Sequence, residues 1–226
     1  MKRVLSFVCV AFCCLAMNAQ LVTSRSVLKT DAPKEVKTTW MVKAGIATNN
    51  FVGDGMDDDA RAKAGYNFGV EFNRTIGKKG AYWGMDFLLG SRGWKYSEGE
   101  DGIKLIAKQS AHNFQWAPFN FGWKIDIIDK ITIDPHVGLF MSIDYAGKQS
   151  VTLEAFGEEE TEEMRIFDDE SDYIPVDLGL KIGVGVWFNN KFNLDLTYQR
   201  GFVNAYDDSE ATSKASNFLI RLGYAF

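Results

Sequence analysis

The 226-residue chain has the length of one ordinary domain. It carries 25 basic and 30 acidic residues for a net charge of −5, and all three of its cysteines fall at Cys9, Cys13 and Cys14. The acidic balance argues against nucleic acid as a partner. Cysteines confined to a segment destined for removal exclude a disulfide framework, a cysteine-ligated metal and a thiol nucleophile from the mature chain.

The chain opens MKRVLSFVCVAFCCLAMNAQ, with Lys2 and Arg3 ahead of an apolar run from Val4 to Met17 and then small residues. This pattern is a secretory signal peptide over residues 1–19, with cleavage expected after Ala19 or, as an alternative, after Ala16. The apolar run falls short of the about 20 residues that a membrane-spanning helix needs. A lipoprotein signal is the rival, but it wants Gly or Ala before the modified cysteine, and Val8, Phe12 and Cys13 stand there. Loss of Lys2 and Arg3 leaves 23 basic residues against 30 acidic ones, a mature net charge of −7. Residues 20–39 read as a polar periplasmic leader and residues 40–226 as the folded unit. No later apolar run is long enough for a spanning helix, so a membrane location requires a closed barrel, which pairs every backbone group internally.

Period-2 alternation then dominates the chain. A first strand starts near Trp40, with Val42, Ala44 and Ile46 on the same face. A second carries Tyr66, Phe68, Val70 and Phe72, and a third Trp83, Met85, Phe87 and Leu89. A fourth, beginning near His112, breaks step: Phe114 and Trp116 share one phase, while Phe119, Phe121 and Trp123 take the other, with Pro118 at the switch. Proline cannot donate to a ladder and one extra residue exchanges the two faces, so a β-bulge is expected there. A fifth alternates Ile131, Ile133, Val137, Leu139, Met141, Ile143 and Tyr145 with polar neighbours, and a sixth sets Val176 through Val186 against Asp177, Lys181 and glycines. A seventh carries Phe192, Leu194, Leu196 and Tyr198, and the last Phe218, Ile220, Leu222, Tyr224 and Phe226. Residues 76–80, 126–130 and 189–191 read as tight turns. Residues 49–64, 95–111, 146–172 and 203–215 read as longer polar loops, with a hairpin extended beyond the membrane by Val151, Leu153, Phe156, Ile166 and Phe167 as an alternative for the third. Short turns on one rim and long loops on the other are the pattern of an outer-membrane barrel, with the turns in the periplasm.

Alternation by itself does not separate such a barrel from a soluble one with an apolar interior. The face opposite the apolar one is rich in Gly, Asn and single charges, where a soluble exterior is denser in Lys and Glu. Trp40, Trp83, Trp123, Phe188, Phe192 and Phe226 fall where strands meet the short turns, the place of a periplasmic aromatic girdle. The expected fold is therefore all-β: a transmembrane antiparallel up-and-down barrel of about eight strands.

Four stretches carry a resemblance. HNFQWAPFNFGWKI (112–125), DLGLKIGVGVWF (177–188), FNLDLTYQRGF (192–202) and NFLIRLGYAF (217–226) resemble successive strands of the small outer-membrane barrel family of Bacteroidota, the PorT-like group. The resemblance covers roughly residues 38–226. It implies the fold and the cell outer membrane as location, with assembly there by the barrel assembly machinery and contact with outer-membrane lipid and lipopolysaccharide. It implies little about activity, although the name-giving member is tied to protein secretion.

The inward face is expected to carry Lys43, Glu71, Asp86, Arg92, Asp134, His136, Asp144, Asp177, Lys181, Asp195, Gln199 and Arg221. About eight strands enclose a space just wide enough for side chains to fill it. These residues therefore read as a polar network closing the lumen, with a narrow pore or proton path as the alternative. His112 and His136 are the two histidines, and no spacing pairs either with a catalytic partner, so no enzyme activity and no cofactor are expected. Glu154 to Asp172 is densely acidic, and Asp54, Asp57, Asp58 and Asp59 add a second acidic run. Both read as solvated, self-repelling loops. The alternative is loose binding of divalent cations such as those that bridge lipopolysaccharide phosphates, although Asp57–Asp59 lacks the Gly and distal Glu of an EF-hand. The expected role is structural or interaction-based, through the long loops. A narrow pore and an accessory role in secretion are the alternatives.

Overall fold

A sheet apolar on one face and polar on the other has to hide one of them, and closing it on itself does so while leaving no unpaired edge in the ring. The computed structural model describes residues 37–54, 61–76, 80–100, 103–156, 158–167, 172–206 and 212–226. The signal sequence at 1–19, most of the leader, Asp57, Asp58, Asp59, Asp168, Asp169 and Glu170 lie outside these residues. The strands are β1 (Thr38–Val52), β2 (Arg61–Thr75), β3 (Ala81–Glu100), β4 (Ile103–Trp123), β5 (Ile125–Ile128), β6 (Ile131–Ala155), β7 (Glu158–Arg165), β8 (Val176–Phe188), β9 (Phe192–Gly201) and β10 (Lys214–Ala225).

Eight of them form an antiparallel ring in the order β1-β2-β3-β4-β6-β8-β9-β10. The last returns to the first through a continuous register from Met41↔Ala225 to Val52↔Lys214. The eight-stranded all-β barrel expected from the alternation is thus the fold. β5 and β7 lie outside the ring, as hairpin extensions of β6 at its two ends.

The apolar phase faces out. Ile46 is 62% exposed and Leu222 69%, whereas Asp86 and Arg221 on the other phase are 0% and 1% exposed. Exposed apolar patches on soluble monomers rarely exceed a few hundred Å². Here apolar side chains of every strand in the ring are exposed around the wall.

The fourth strand switches phase as its sequence requires. On the β3 side Gly84 faces Asn120 and Asp86 faces Ala117, so three steps along β4 oppose two along β3. On the other side Trp116 faces Met141 and Phe119 faces Leu139, with the same extra residue. Pro118 sits in the bulge, where its missing donor costs nothing, and its carbonyl accepts from Trp83 Nε1 at 3.2 Å. The shift lets Phe114 and Phe121 both face outward, with Gln115 and Asn120 buried.

At one rim the connections are tight. Asn189 and Asn190 have φ of 53° and 56°, and Lys191 N donates to Phe188 O at 3.1 Å. These are the marks of a type I′ turn, whose twist matches that of its flanking strands and whose positive φ suits Asn. The segment 126–130 is not wholly a turn: Ile125–Ile128 forms β5 and pairs with Ile131–Ile133, leaving Asp129 and Lys130 as the turn. The run of β-branched isoleucines outweighs the turn-forming aspartates.

The opposite rim departs further from the sequence reading. Residues 95–100 and 103–111 are strand rather than loop, because β3 and β4 continue as a hairpin to Glu100↔Ile103. Residues 146–165 are also mostly strand, with β6 running on to Ala155 and β7 pairing back from Ala155↔Glu158 to Lys148↔Arg165. Alternation persists through these polar stretches, and backbone pairing carries a hairpin past the apolar band once its register is fixed. The outcome is a four-stranded extension, β3-β4-β6-β7, standing above one side of the ring.

Candidate functional site: the lumen and the long-loop rim

Inward positions on eight strands converge on one axis, so charges remote in sequence meet there. Asp195 on β9 is the centre of one constellation. Its Oδ2 lies 3.0 Å from Lys43 Nζ on β1, and its Oδ1 accepts from Arg221 Nη2 on β10 at 2.7 Å and from Thr197 Oγ1 at 2.7 Å. Lys43 also pairs with Glu71 on β2 at 2.6 Å, and Glu71 accepts from Asn73 at 2.7 Å. His136 Nε2 stands 3.2 Å from Thr197 Oγ1 and 3.6 Å from Asp195. Gly183 makes room for that ring, since a Cβ there would fall 2.5 Å from His136 Nε2. Lys181 on β8 pairs with Asp86 on β3, which also accepts from Asn120 at 2.6 Å.

A second constellation lies nearer the long-loop rim. Arg92 bridges Asp144 at 2.8 Å and Asp177 at 3.2 Å, and Asp177 Oδ1 accepts from Val203 N at 3.3 Å. Tyr173 OH donates to Asp144. Four buried cations therefore face six buried carboxylates: Lys43, Arg92, Lys181 and Arg221 against Glu71, Asp86, Asp134, Asp144, Asp177 and Asp195. Neutral donors share in satisfying the surplus. Asp134 accepts from Tyr82 OH at 2.9 and 3.1 Å and from Trp187 Nε1 at 2.9 Å. Charges removed from water persist only when partnered in this way.

Apolar layers bracket the charges, and the sequence reading did not include them. At the short-turn rim Met41, Trp187 and Ala225 form a buried cluster, with Lys124 Nζ 3.8 Å above the Trp187 ring. The alternation that turns Trp40, Trp83 and Phe188 outward turns Met41, Tyr82 and Trp187 inward, so the signal was present in the phase. At the long-loop rim Phe51, Ala111, Ile166, Tyr173, Ala205 and Ala215 form a second cluster, flanked by Trp94 and Tyr206. Gln109 ties this layer together, its Oε1 accepting from Trp94 Nε1 at 3.1 Å and Tyr206 OH at 2.6 Å. Ile166, Tyr173 and Ala205 lie outside the strands, and no periodicity marks them.

Below the lower layer an open vestibule of about 970 Å³ is lined by Lys37, Lys124, Lys191, Tyr82 and Phe226 among others. Around this rim Trp40, Trp123, Phe188, Phe192 and Phe226 are exposed, and Trp83 is half-buried against Phe72. His112 faces outward, away from the lumen, with Nδ1 2.9 Å from Tyr66 OH and its ring 6.4 Å from that of Tyr145. Among the described residues no group of three or more His, Cys, Asp or Glu side chains is arranged to hold a metal ion.

The profile of the outer membrane protein beta-barrel domain matches residues 6–226. No curated protein matches the chain. Among solved structures it is similar to Ail, the attachment invasion locus protein of Yersinia pestis, at 17% identity over 84% of this chain and 99% of that one, with a TM-score of 0.34. Neisserial surface protein A is similar at 12% identity over 84% and 99%, with a TM-score of 0.41. The N-terminal β-barrel domain of Pseudomonas aeruginosa OprF is similar at 8% identity over 85% and 100%, with a TM-score of 0.34.

Proposed function

This chain belongs to the outer membrane protein beta-barrel domain family, and from that premise we propose that it is a surface interaction protein whose closed barrel displays the β3-β4-β6-β7 sheet outside the cell. In this reading residues 1–19 are the cleaved export signal and the residues from 20 up to β1, which begins at Thr38, two residues before the expected start at Trp40, are a periplasmic leader. The barrel assembly machinery inserts the rest with its short turns in the periplasm. Trp40, Trp83, Trp123, Phe188, Phe192 and Phe226 are its periplasmic girdle. Lys43, Glu71, Asp86, Arg92, Asp134, His136, Asp177, Lys181, Asp195 and Arg221 plug the lumen, and no catalytic step is assigned to them.

The observation that carries the reading is the register of the extension. β6 pairs with β4 and β7 at once above the ring, and among the described residues no strand pairs with the far edge of β7. An open edge offers a row of backbone donors and acceptors, the template on which an extended segment of another protein adds a strand. A photo-reactive side chain at Glu160 is expected to form a discrete adduct with a protein on intact cells. Thr161→Pro, which spoils the edge, is expected to abolish the adduct. Capture that survives Thr161→Pro overturns the reading.

A second reading, an accessory factor in protein secretion, is favoured by the PorT-like stretches, which fall on β4, β8, β9 and β10. Deletion of the gene leaving secretion intact removes it.

A further inference from the structure

Cross-strand register sets like charges against one another on the outer wall of the extension. Lys95 on β3 lies opposite Lys108 on β4. One step nearer the ring, Lys148 on β6 lies between Ser110 and Arg165 on β7. Along β4 the residues Lys108, Ser110, His112 and Phe114 share the outward phase. Like charges directly opposite on a sheet destabilise it, so this arrangement carries a cost that an anion would relieve. Glu163 offsets part of it, pairing with Lys148 at 2.7 Å. Lys95, Lys108 and Arg165 make no ion pair among the described residues.

The surroundings narrow the anion. Just toward the ring from these cations, Tyr66, His112 and Tyr145 form an outward aromatic group, the composition of a membrane–water interface. Four residues of strand, roughly 13 Å, separate His112 from Lys108, which sets the cations at headgroup height. A groove of about 700 Å³ joins the two levels, lined by His112, Tyr145, Lys148, Met164, Arg165 and Phe167 among others. Its lining sets Lys148, Arg165 and Glu163 beside Tyr145, Met164 and Phe167.

We propose that Lys95, Lys108, Lys148 and Arg165 bind the phosphate groups of an outer-leaflet glycolipid, with one acyl chain or sugar face lying along the His112–Phe167 groove. The proposal rests on the membrane orientation given above. Arginine and lysine beside an aromatic belt recognise a phosphomonoester by charge-assisted hydrogen bonds, and the anchored lipid brings it to the right depth. Beyond this belt the outward phase carries Glu154 and Glu159, with Lys104 paired to Glu154, so the cations without an ion pair gather at one level.

The test uses the full mature chain folded in phosphatidylcholine vesicles containing diphosphoryl lipid A or its dephosphorylated form. Retention of lipid A after detergent extraction is the readout. The expected result is retention of the diphosphoryl form, falling at least about tenfold in the triple variant Lys108→Gln/Lys148→Gln/Arg165→Gln. Lys104→Gln, whose lysine pairs with Glu154 farther out, is expected to retain it fully. Equal retention by the triple variant, or of the dephosphorylated lipid, overturns the proposal. Displacement by millimolar inorganic phosphate reassigns the site to a free anion and likewise overturns the lipid. Heat-modifiable gel migration accompanies each variant. A chain that folds without entering vesicles overturns the membrane reading itself, whereas one that inserts but ignores lipid A overturns this proposal alone.

Discussion

Asp195 shows how a single side chain is fixed by its surroundings. It accepts from Arg221 and Thr197 and pairs with Lys43, so its removal leaves buried Arg221 without a carboxylate partner and Lys43 with Glu71 alone. Breaking a buried pair costs about 3–5 kcal/mol, because the remaining charge has neither water nor partner. Asp195→Ala is therefore expected to lower the urea midpoint of the vesicle-inserted barrel sharply, and an unchanged midpoint would refute the account. Lys124 is a milder case. Its ammonium over the Trp187 ring contributes about 0.5–2 kcal/mol, so Lys124→Ala should cost no more than that in the same titration, and a larger loss would point to an undetected partner. The acidic and basic members of the lumen were legible one by one from their phase. Which carboxylate meets which cation was not, because Lys43 and Asp195 are separated by 152 residues and meet only across the closed ring.

At the scale of elements, β4 offers the sharpest test. Its bulge at Pro118 corrects the phase between Trp116 and Phe119. Deleting Pro118 restores an uninterrupted ladder and turns one end of the strand inside out, driving Asn120 toward lipid and Phe121 into the lumen. The deletion is expected to abolish the heat-modifiable, folded gel band. Pro118→Ala keeps the residue count and is expected to preserve the band, so failure of both would show that the ring itself and not the register matters. The bulge was readable because proline and a double phase coincide. The β3-β4 and β6-β7 hairpins were less so: their polar composition resembles loop, and the pairing that makes them strand is inherited from the barrel beneath.

For the whole molecule, the stacking of an apolar layer, a charged layer and a second apolar layer predicts a lumen closed to ions. Planar bilayers containing the chain are expected to stay silent, and Trp187→Ala is expected to leave them silent because Arg92, Lys181 and Arg221 with their carboxylates still occupy the section above. Stepwise conductance in the unaltered protein would overturn the plugged reading in favour of a narrow pore. The sequence by itself determined the two-faced strands and their number in the ring, since period-2 alternation is a local property of each strand, while the Gly- and Asn-rich polar face and the aromatics at the strand ends determined which face points out. Tertiary structure alone decided the ion-pair partners, the apolar layers at both ends of the lumen and the sheet above the rim. These depend on contacts between residues far apart along the chain, which exist only once β10 has paired with β1 and closed the ring.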